Sequence, residues 1–506
     1  MEHSTVLPKK YFKGFWGLFF TQFQGAFNDN AFKFIVIFMV LGKAAADEWA
    51  PLIGFVFALP FILFSAFAGQ LATRFSKRRV TVVTKYAEVL IMILATIGLF
   101  FKSDVMLIVV VFLLSTQSAF FGPSKYGLLP ELLPDKRLSW GNGIIQFGTT
   151  IAIIVGTVIA GILFVRFENH QYLSGVVLLV FSLIGLGFSL RIDQVKPAVP
   201  DHQIIFNPLP ELVDRLSMIR KDRPLFLAVM AESNFWLLGA LMQFCILFYG
   251  KQLELPEEEI SYIMGALAGG IGLGCFLAGY LSANKIEYGF VPIGVIGLAT
   301  SIFLIPILEL NTSISLVICL GVVGFFGGFY LVPLATMIQQ RPDPKVKGAV
   351  IALNSTISFI GVALASVIYY VCKVYLEWNL LEIFTLCGFM TLAVGICILW
   401  VLPDSLIRLL GIIVTRTVYR IKIVGRDNIP ERGGALFVCN HLSFIDVLLL
   451  QATTDRPIRF IMYAGYMKKR LLGSFARIMK CIPIDSESGP RDLIKSLKVA
   501  SQAVKD

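Results

Sequence analysis

Gly14-Phe-Trp-Gly-Leu-Phe-Phe-Thr-Gln-Phe-Gln-Gly-Ala-Phe-Asn-Asp-Asn-Ala-Phe-Lys-Phe-Ile-Val-Ile-Phe-Met-Val-Leu41 is long and apolar enough to cross a bilayer, yet it carries an acid and a lysine near its middle. A crossing needs roughly 17–25 apolar residues. Taking this first run as 14–42, further runs follow at 51–72, 80–101, 105–122, 142–165, 172–190, 224–249, 260–283, 290–309, 312–338, 348–372 and 379–402. The one long polar connection, 191–223, falls after the sixth. The pattern predicts an all-α membrane protein of twelve spans in a 6+6 arrangement: an N-terminal half at 1–190, a cytoplasmic linker at 191–223 and a C-terminal half at 224–402.

Composition agrees. The chain is 57% hydrophobic and 15% charged, against about 45–50% and 25% for soluble domains, which excludes a soluble enzyme. Residues 1–13 are short and basic, but the run behind them is too long for a signal peptide and has no small-residue cleavage site. Eight cysteines form no Cys-x-x-Cys pair and six lie in apolar runs. They are expected to pack as small hydrophobes, with no metal site, disulfide or cofactor.

Basic residues set the orientation. Odd-to-even loops carry only Lys43, Lys102, Arg166, Lys251 and Lys373. The N-terminus and the opposite connections carry several times as many, including Arg74-Phe-Ser-Lys-Arg-Arg79. Both termini are therefore expected in the cytoplasm. The halves also echo each other: Pro134-Asp-Lys136 and Pro342-Asp-Pro-Lys345 each precede a glycine-rich span.

Within span 1, Gln22, Ala26, Asp29 and Lys33 fall within about 60° on a helix of 3.6 residues per turn. They form one polar stripe flanked by Asn28 and Asn30. Charges at this depth cost several kcal/mol unless paired or wetted. At i, i+4 with the acid first, Asp29 and Lys33 are placed to pair with each other. The stripe is wider than one pair needs, so it reads as the wall of a cavity for a polar headgroup. Glu232 and Asn234 in span 7 are the candidates opposite, with Gln146 and Gln243 as weaker ones. Lys125, between Pro123 and Gly127, is expected just past span 4, where the chain can turn inward.

These residues carry a family resemblance. Six spans, a linker and six more resemble the major facilitators, as does the Gly69-to-Arg79 loop, with Thr73 where that pattern usually has Asp. Gln-x-x-x-Ala-Phe-x-Asp-Asn-Ala in span 1, Pro-x-Lys-Tyr-Gly-x-Leu after span 4, Gly141-Asn-Gly143 and Gly328-Phe-Tyr-Leu-Val-Pro-Leu334 resemble the bacterial lysophospholipid transporter family over 10–402. The resemblance implies flipping of lysophosphatidylethanolamine and related lysolipids from the periplasmic to the cytoplasmic leaflet. It gives Asp29 and Lys125 functional positions. Span 11 departs from the family, since 353–357 holds no acid, and Gln243 stands where an Arg is common. Glu232 and Lys33 are possible substitutes.

Beyond Pro403 the pattern changes. Residues 403–506 hold 17 Lys+Arg and 9 Asp+Glu, +8 of the chain's net +11. Such a tail points to anionic headgroups or phosphate-bearing substrates rather than nucleic acid. Residues 403–422 suit an amphipathic helix lying in the interface. After it, 419–425 and 434–440 read as strands, the second buried and ending on Asn440-His441-Leu-Ser-Phe-Ile-Asp446. This resembles the first motif of the glycerolipid acyltransferases, which implies His441 as general base on an acceptor hydroxyl and Asp446 as its orienter. Arg477-Ile-Met-Lys-Cys-Ile-Pro-Ile-Asp485 resembles the second block, with Ser486 where an Arg is frequent. The third, Phe-Pro-Glu-Gly, has no counterpart. The resemblance covers 404–506, so a partial α/β acyltransferase domain at 423–506 is expected, with 1–506 alone not competent to acylate. Its donor would be an acyl-carrier-protein or coenzyme A thioester.

The rival to a lysolipid flippase is a proton-coupled small-solute symporter with Asp29 as the proton site. It predicts no lysolipid uptake and an obligatory proton gradient. An acyltransferase with helices only as anchor needs one or two spans, not twelve.

Overall fold

A computed structural model of the chain describes residues 9–41, 43, 46–134, 138–197, 200, 209–282, 289–342 and 347–401 and, farther on, 411, 414–415, 417–419, 421–425, 428–430, 434–443, 445–454, 458–484, 494 and 498–502. It divides into a helical bundle (Met1–Ile286 with Gly294–Val394) and a second unit (Glu287–Ile293 with Gly395–Asp506).

The bundle's first half holds α1 (Lys9–Leu41), α2 (Ala46–Arg74), α3 (Lys77–Phe101), α4 (Asp104–Leu132), α5 (Leu138–Arg166) and α6 (Tyr172–Ser189). A short helix, α7 (Leu209–Lys221), lies in the linker. The second half holds α8 (Arg223–Gln252), α9 (Glu257–Ser282), α10 (Phe290–Ile307), α11 (Ser313–Gln340), α12 (Lys347–Tyr370) and α13 (Leu380–Val401). Each expected span coincides with a long helix. Among the described residues eleven helices are long and apolar enough to cross a membrane on those grounds alone. The twelfth, α1, is the one interrupted by Asp29 and Lys33.

Local chemistry sets the helix starts. Asp222 accepts the Leu225 N–H ahead of α8, with Pro224 in the first turn, where a missing N–H costs nothing. Thr312 and Ser315 form a capping box on α11, and Asn379 and Glu382 do the same before α13 at 2.7 and 2.9 Å, satisfying otherwise orphaned N–H groups.

In the first half α1 is central, packed on α2, α4, α5 and α6, while α3 packs on α4 and α6. In the second, α8 packs on α9, α11 and α12, and α9 lies along α11. The halves meet where α2 runs beside α12 and α5 beside α9. Midway along the first seam Phe61 and Phe359 stack at 3.9 Å. Near the Leu41 end of α1, Lys251 donates to the Leu41 carbonyl and Tyr369 Oη to Asp47 at 3.2 Å. There Gly54 also leaves room for Phe244 and Ser366.

One local expectation fails instructively. Pro123 and Gly127 do not end the fourth span, because α4 runs on to Leu132. Leu128, Leu129 and Leu132 pack there against Phe15, Leu18 and Ile145. Each such leucine contributes roughly 1.5–3 kcal/mol, against roughly 3 kcal/mol for a proline inside a helix. Packing prevails, and Lys125 sits on a helix rather than in a loop.

In the second unit, α14 (Ile445–Thr453) precedes β1 (Ile461–Tyr463), and α15 (Arg470–Ile478) leads to β2 (Ile482–Ile484), parallel to β1 with Ile461 opposite Ile482. The strands expected at 419–425 and 434–440 are not formed among the described residues. Leu436 and Val438 are 72% and 86% exposed. Extended chain becomes a strand only when a neighbour takes its N–H and C=O groups, and none lies alongside among the described residues. Of the interfacial helix expected at 403–422, residues 411, 414–415 and 417–418 are helical; the others except 419, 421 and 422 lie outside the described residues.

Candidate functional site

The interior of the first half is charged. Asp29 and Lys33 on α1 and Lys85 and Glu88 on α3 are all buried. Lys85 and Glu88, both fully enclosed, pair at 2.6 Å across one turn. An isolated buried charge is costly, and a pair is tolerated only when further hydrogen bonds complete it. Here they do. Glu88 Oε1 accepts from Gln24 Nε2 at 2.8 Å and Asn28 Nδ2 at 3.3 Å, while Oε2 accepts from Gln117 Nε2 at 3.3 Å. Lys85 Nζ also donates to Gln24 Oε1 at 2.9 Å. A side chain at position 25 would strike Lys85 Nζ at 2.8 Å, so Gly25 is what lets the ammonium lie across α1.

Asp29 joins the same system from the other side. Ser118 Oγ lies 2.5 Å from Asp29 Oδ2 and 3.0 Å from Gln117 Oε1. The expected pair with Lys33 does not form within 4 Å. Lys33 Nζ instead lies over the rings of Phe34 and Phe57, at 4.7 and 4.6 Å, where ring faces attract a cation. The stripe is thus divided. Gln22 donates to Thr149 on α5 at 3.0 Å. Asn28 turns to Glu88 and to the Leu178 carbonyl at 3.0 Å, and Asn30 bonds back to the Ala26 carbonyl at 2.9 Å. Lys125 lies over Tyr126, 4.4 Å from the ring centroid. The side chain of Gln146, on α5, lies outside the described residues.

Glu232 is buried on α8, within hydrogen-bonding reach of Asn354 on α12 and of Trp236. Among the described residues no hydrogen bond or ion pair joins it to the α1 stripe. Asn234 lines an apolar cavity inside the second half, with Leu238, Met242, Leu298 and Tyr330. Gln243 is half-buried farther along α8.

The sequence reading missed Lys85, Glu88, Gln24 and Gln117. The signal was there: an i, i+3 acid–base pair inside the apolar run 80–101 meets the same test that singled out Asp29, since ionisable groups at membrane depth need a partner or a task.

In the second unit His441 Nδ1 lies 3.1 Å from Asp446 Oδ2. That oxygen also accepts the N–H groups of Leu442 at 2.6 Å and Ser443 at 2.8 Å. The Ser443 and Leu442 N–H groups, and after them His441, hold the Asp446 carboxyl below the usual carboxylate range. It therefore keeps its charge, and its grip on the loop, until pH falls through that lowered value. An ionised Asp446 fixes the proton on Nδ1. This leaves Nε2 as the basic nitrogen on a side chain 70% exposed, open to an incoming hydroxyl.

Comparison with known proteins bears on both units. A family profile described as Major Facilitator Superfamily matches residues 18–366. One described as Acyltransferase matches 420–506. The "Lysophospholipid transporter LplT" of Cronobacter sakazakii (strain ATCC BAA-894) is 28% identical over 343 residues, 66% of this chain and 82% of that protein. The protein of the same name from Klebsiella pneumoniae (strain 342) is 28% identical over 353 residues, 68% and 85%. That of Escherichia coli (strain SE11) is 26% identical over 345 residues, 66% and 82%. Among solved structures, a POT family transporter in complex with a thioalcohol conjugated peptide aligns with TM-score 0.60 at 15% identity, over 78% of this chain and 96% of that one. A mutant of the nucleoside transporter NupG aligns with TM-score 0.60 at 13% identity, over 77% and 99%. At these identities the structures speak for the fold alone.

Proposed function

The chain belongs to the Major Facilitator Superfamily, and we propose that it flips lysophospholipids of the phosphatidylethanolamine type from the periplasmic to the cytoplasmic leaflet of a bacterial inner membrane. One observation carries the reading. Buried Asp29 and Lys33 stand one turn apart on α1 without an ion pair between them, and Lys33 lies over Phe34 and Phe57 instead. Their spacing and opposite sign suit a zwitterionic headgroup, with Asp29 for the ammonium and Lys33 for the phosphate. Gln22, Asn30 and Lys125 in the first half and Gln243 and Glu232 in the second are the further candidates for the headgroup's path, and Asn28 ties Asp29's helix to α3 through Glu88. Similarity to lysophospholipid transporters over two thirds of the chain supports this cargo. The uneven loop charge supports cytoplasmic termini. In that orientation the contacts among Lys251, Leu41, Tyr369 and Asp47 close the periplasmic end.

Residues 420–506 match an acyltransferase profile and carry the base and its orienter for reacylating the delivered lysolipid. The Phe-Pro-Glu-Gly block has no counterpart in 1–506, so 1–506 alone is expected to flip lysolipid without acylating it. In that reacylation His441 Nε2 takes the proton of the lysolipid hydroxyl as its oxygen attacks the carbonyl of a thioester, on an acyl-carrier protein or coenzyme A. The C–S bond breaks and the thiolate leaves, taking up a proton. Asp446 steadies the imidazolium formed on the way.

Flipping of lysophosphatidylethanolamine by the purified chain in proteoliposomes tests the transport reading. Asp29→Asn and Lys33→Met should each slow it at least about tenfold, the effect of losing about 1.4 kcal/mol of recognition. Normal rates in both variants make the stripe structural. Proton-driven uptake of a small solute without any lysolipid flipping returns the symporter.

A further inference from the structure

Glu232 is a buried carboxyl in a half that offers it no buried ammonium among the described residues. Asn354 and Trp236 are within hydrogen-bonding reach of it, and each brings N–H donors but no charge. Its second oxygen, Oε2, is enclosed with no hydrogen-bond partner among the described residues. A carboxylate left in that state inside a membrane span is severely destabilising.

Two oxygens on α12 are in the same condition. Asn354 Oδ1 and Ser358 Oγ are buried and without a hydrogen-bond partner among the described residues. Four residues apart, they lie about 40° from each other around the helix and share a face. Thr356, between them, behaves differently. Its hydroxyl bonds back to the Ala352 carbonyl at 3.1 Å, the ordinary way for a helical hydroxyl to be satisfied.

Register brings the three oxygens to one level. α8 and α12 run side by side in the same direction: Ser233 Oγ donates to the Ile357 carbonyl at 2.8 Å, and farther on Phe244 packs on Tyr369 with ring centroids 5.3 Å apart. The helices are so close that a side chain at Gly361 would meet the Ser233 carbonyl at 2.9 Å. This offset sets Glu232 level with Thr356. Asn354 then lies about 3 Å along the axis on one side of it and Ser358 about 3 Å on the other.

We propose that Glu232 Oε2, Asn354 Oδ1 and Ser358 Oγ hold an alkali cation of sodium's class between α8 and α12. All three are hard oxygen donors, which suit such ions and not the softer metals that thiols and imidazoles hold. One carboxylate balances one positive charge, whereas a divalent ion would stay half neutralised. A proton on Oε2 answers Asn354 or Ser358 but not both. A cation is met by all three and supplies the charge this half lacks. Phe359, the residue after Ser358, stacks on Phe61 of α2 at 3.9 Å. An ion bracing α8 against α12 thus sits beside the seam where the halves meet. The site stands apart from the α1 stripe and does not depend on the cargo being a lysolipid.

Thermal unfolding of the purified full chain in detergent tests the site with no transport step. A ligand held only by the folded state raises the melting temperature as its concentration passes the dissociation constant. Sodium chloride should raise it saturably above choline chloride at equal ionic strength, and magnesium chloride should not reproduce the rise. Ser358→Ala and Asn354→Ala should each need at least about tenfold more sodium for half the effect, the scale of one lost contact to a charge. Glu232→Gln should fold without sodium and lose the response. Should that variant fail to fold, the two α12 variants decide. Equal melting of wild type in sodium and choline overturns the proposal. So does a sodium response that Ser358→Ala and Asn354→Ala leave unchanged, or one that magnesium matches at the same concentration.

Discussion

The two halves of the bundle share a plan of six helices and fill their centres in opposite ways. The first puts two carboxyls and two ammoniums into its interior, tied together by Gln24, Asn28, Gln117 and Ser118. In the second, Glu232 is the one buried carboxyl or ammonium group among the described residues. Its centre holds a small cavity with an almost wholly apolar lining. It is flanked by α9 and α11, where Gly274 and Gly324 bring the backbones of the two helices together. The difference teaches where each half is vulnerable. A charged interior holds only as a complete set, whereas a glycine-packed one holds only while nothing is added to it.

Removing one member of the charged set should have the largest effect. Glu88→Ala leaves Lys85 enclosed without a counter-charge, a change that costs about 3–5 kcal/mol, and should nearly abolish recovery of folded protein. Replacing both, as Lys85→Met with Glu88→Leu, should recover most of the stability measured by thermal unfolding in detergent. A double variant as unstable as the single one contradicts the set.

Addition is the corresponding test in the second half. A methyl group at Gly274 runs into the Phe325 carbonyl, so Gly274→Ala should cost about 1–3 kcal/mol, as overpacking does. Gly187 on α6 has open space around it, and Gly187→Ala should be neutral or slightly stabilising. If the two variants melt together, the close approach of α9 and α11 is not what holds this half.

The smallest effect is expected where charge is exposed. Lys43 and Asp104 pair at the surface with side chains 42% and 30% accessible. Lys43→Ala should shift stability by no more than about 1 kcal/mol, and less at high salt. A loss rivalling that of Glu88→Ala would show that burial is not what separates the two pairs.

The twelve helices were legible because span length is imposed by bilayer thickness, a constraint that acts on each segment alone. Asp29 was legible for the same reason: a charge in an apolar run stands out without knowledge of its neighbours. Its partner was not. The i, i+4 spacing pointed to Lys33, but Ser118 lies 89 residues away and meets Asp29 only once α4 is packed on α1. Lys85 and Glu88 follow closely on the basic stretch 74–79, and the Gln24, Asn28 and Gln117 side chains that complete the pair come from other helices. The course of α4 beyond Pro123 was hidden too, since local propensity argued for a break and only the leucines packed on Phe15 and Leu18 argue against it. In the second unit His441 and Asp446 were legible as a local motif closed by a five-residue turn, whereas strands depend on neighbours that no single segment specifies.

Lys251 reaches across the seam to the main-chain carbonyl of Leu41, not to a side chain. A carbonyl is supplied by every amino acid, so genetic drift at position 41 cannot delete the acceptor. The whole mutational exposure of this clasp falls on one codon, that of Lys251. At this one contact the two halves can diverge in sequence, one toward charge and the other toward glycine, without having to change in step.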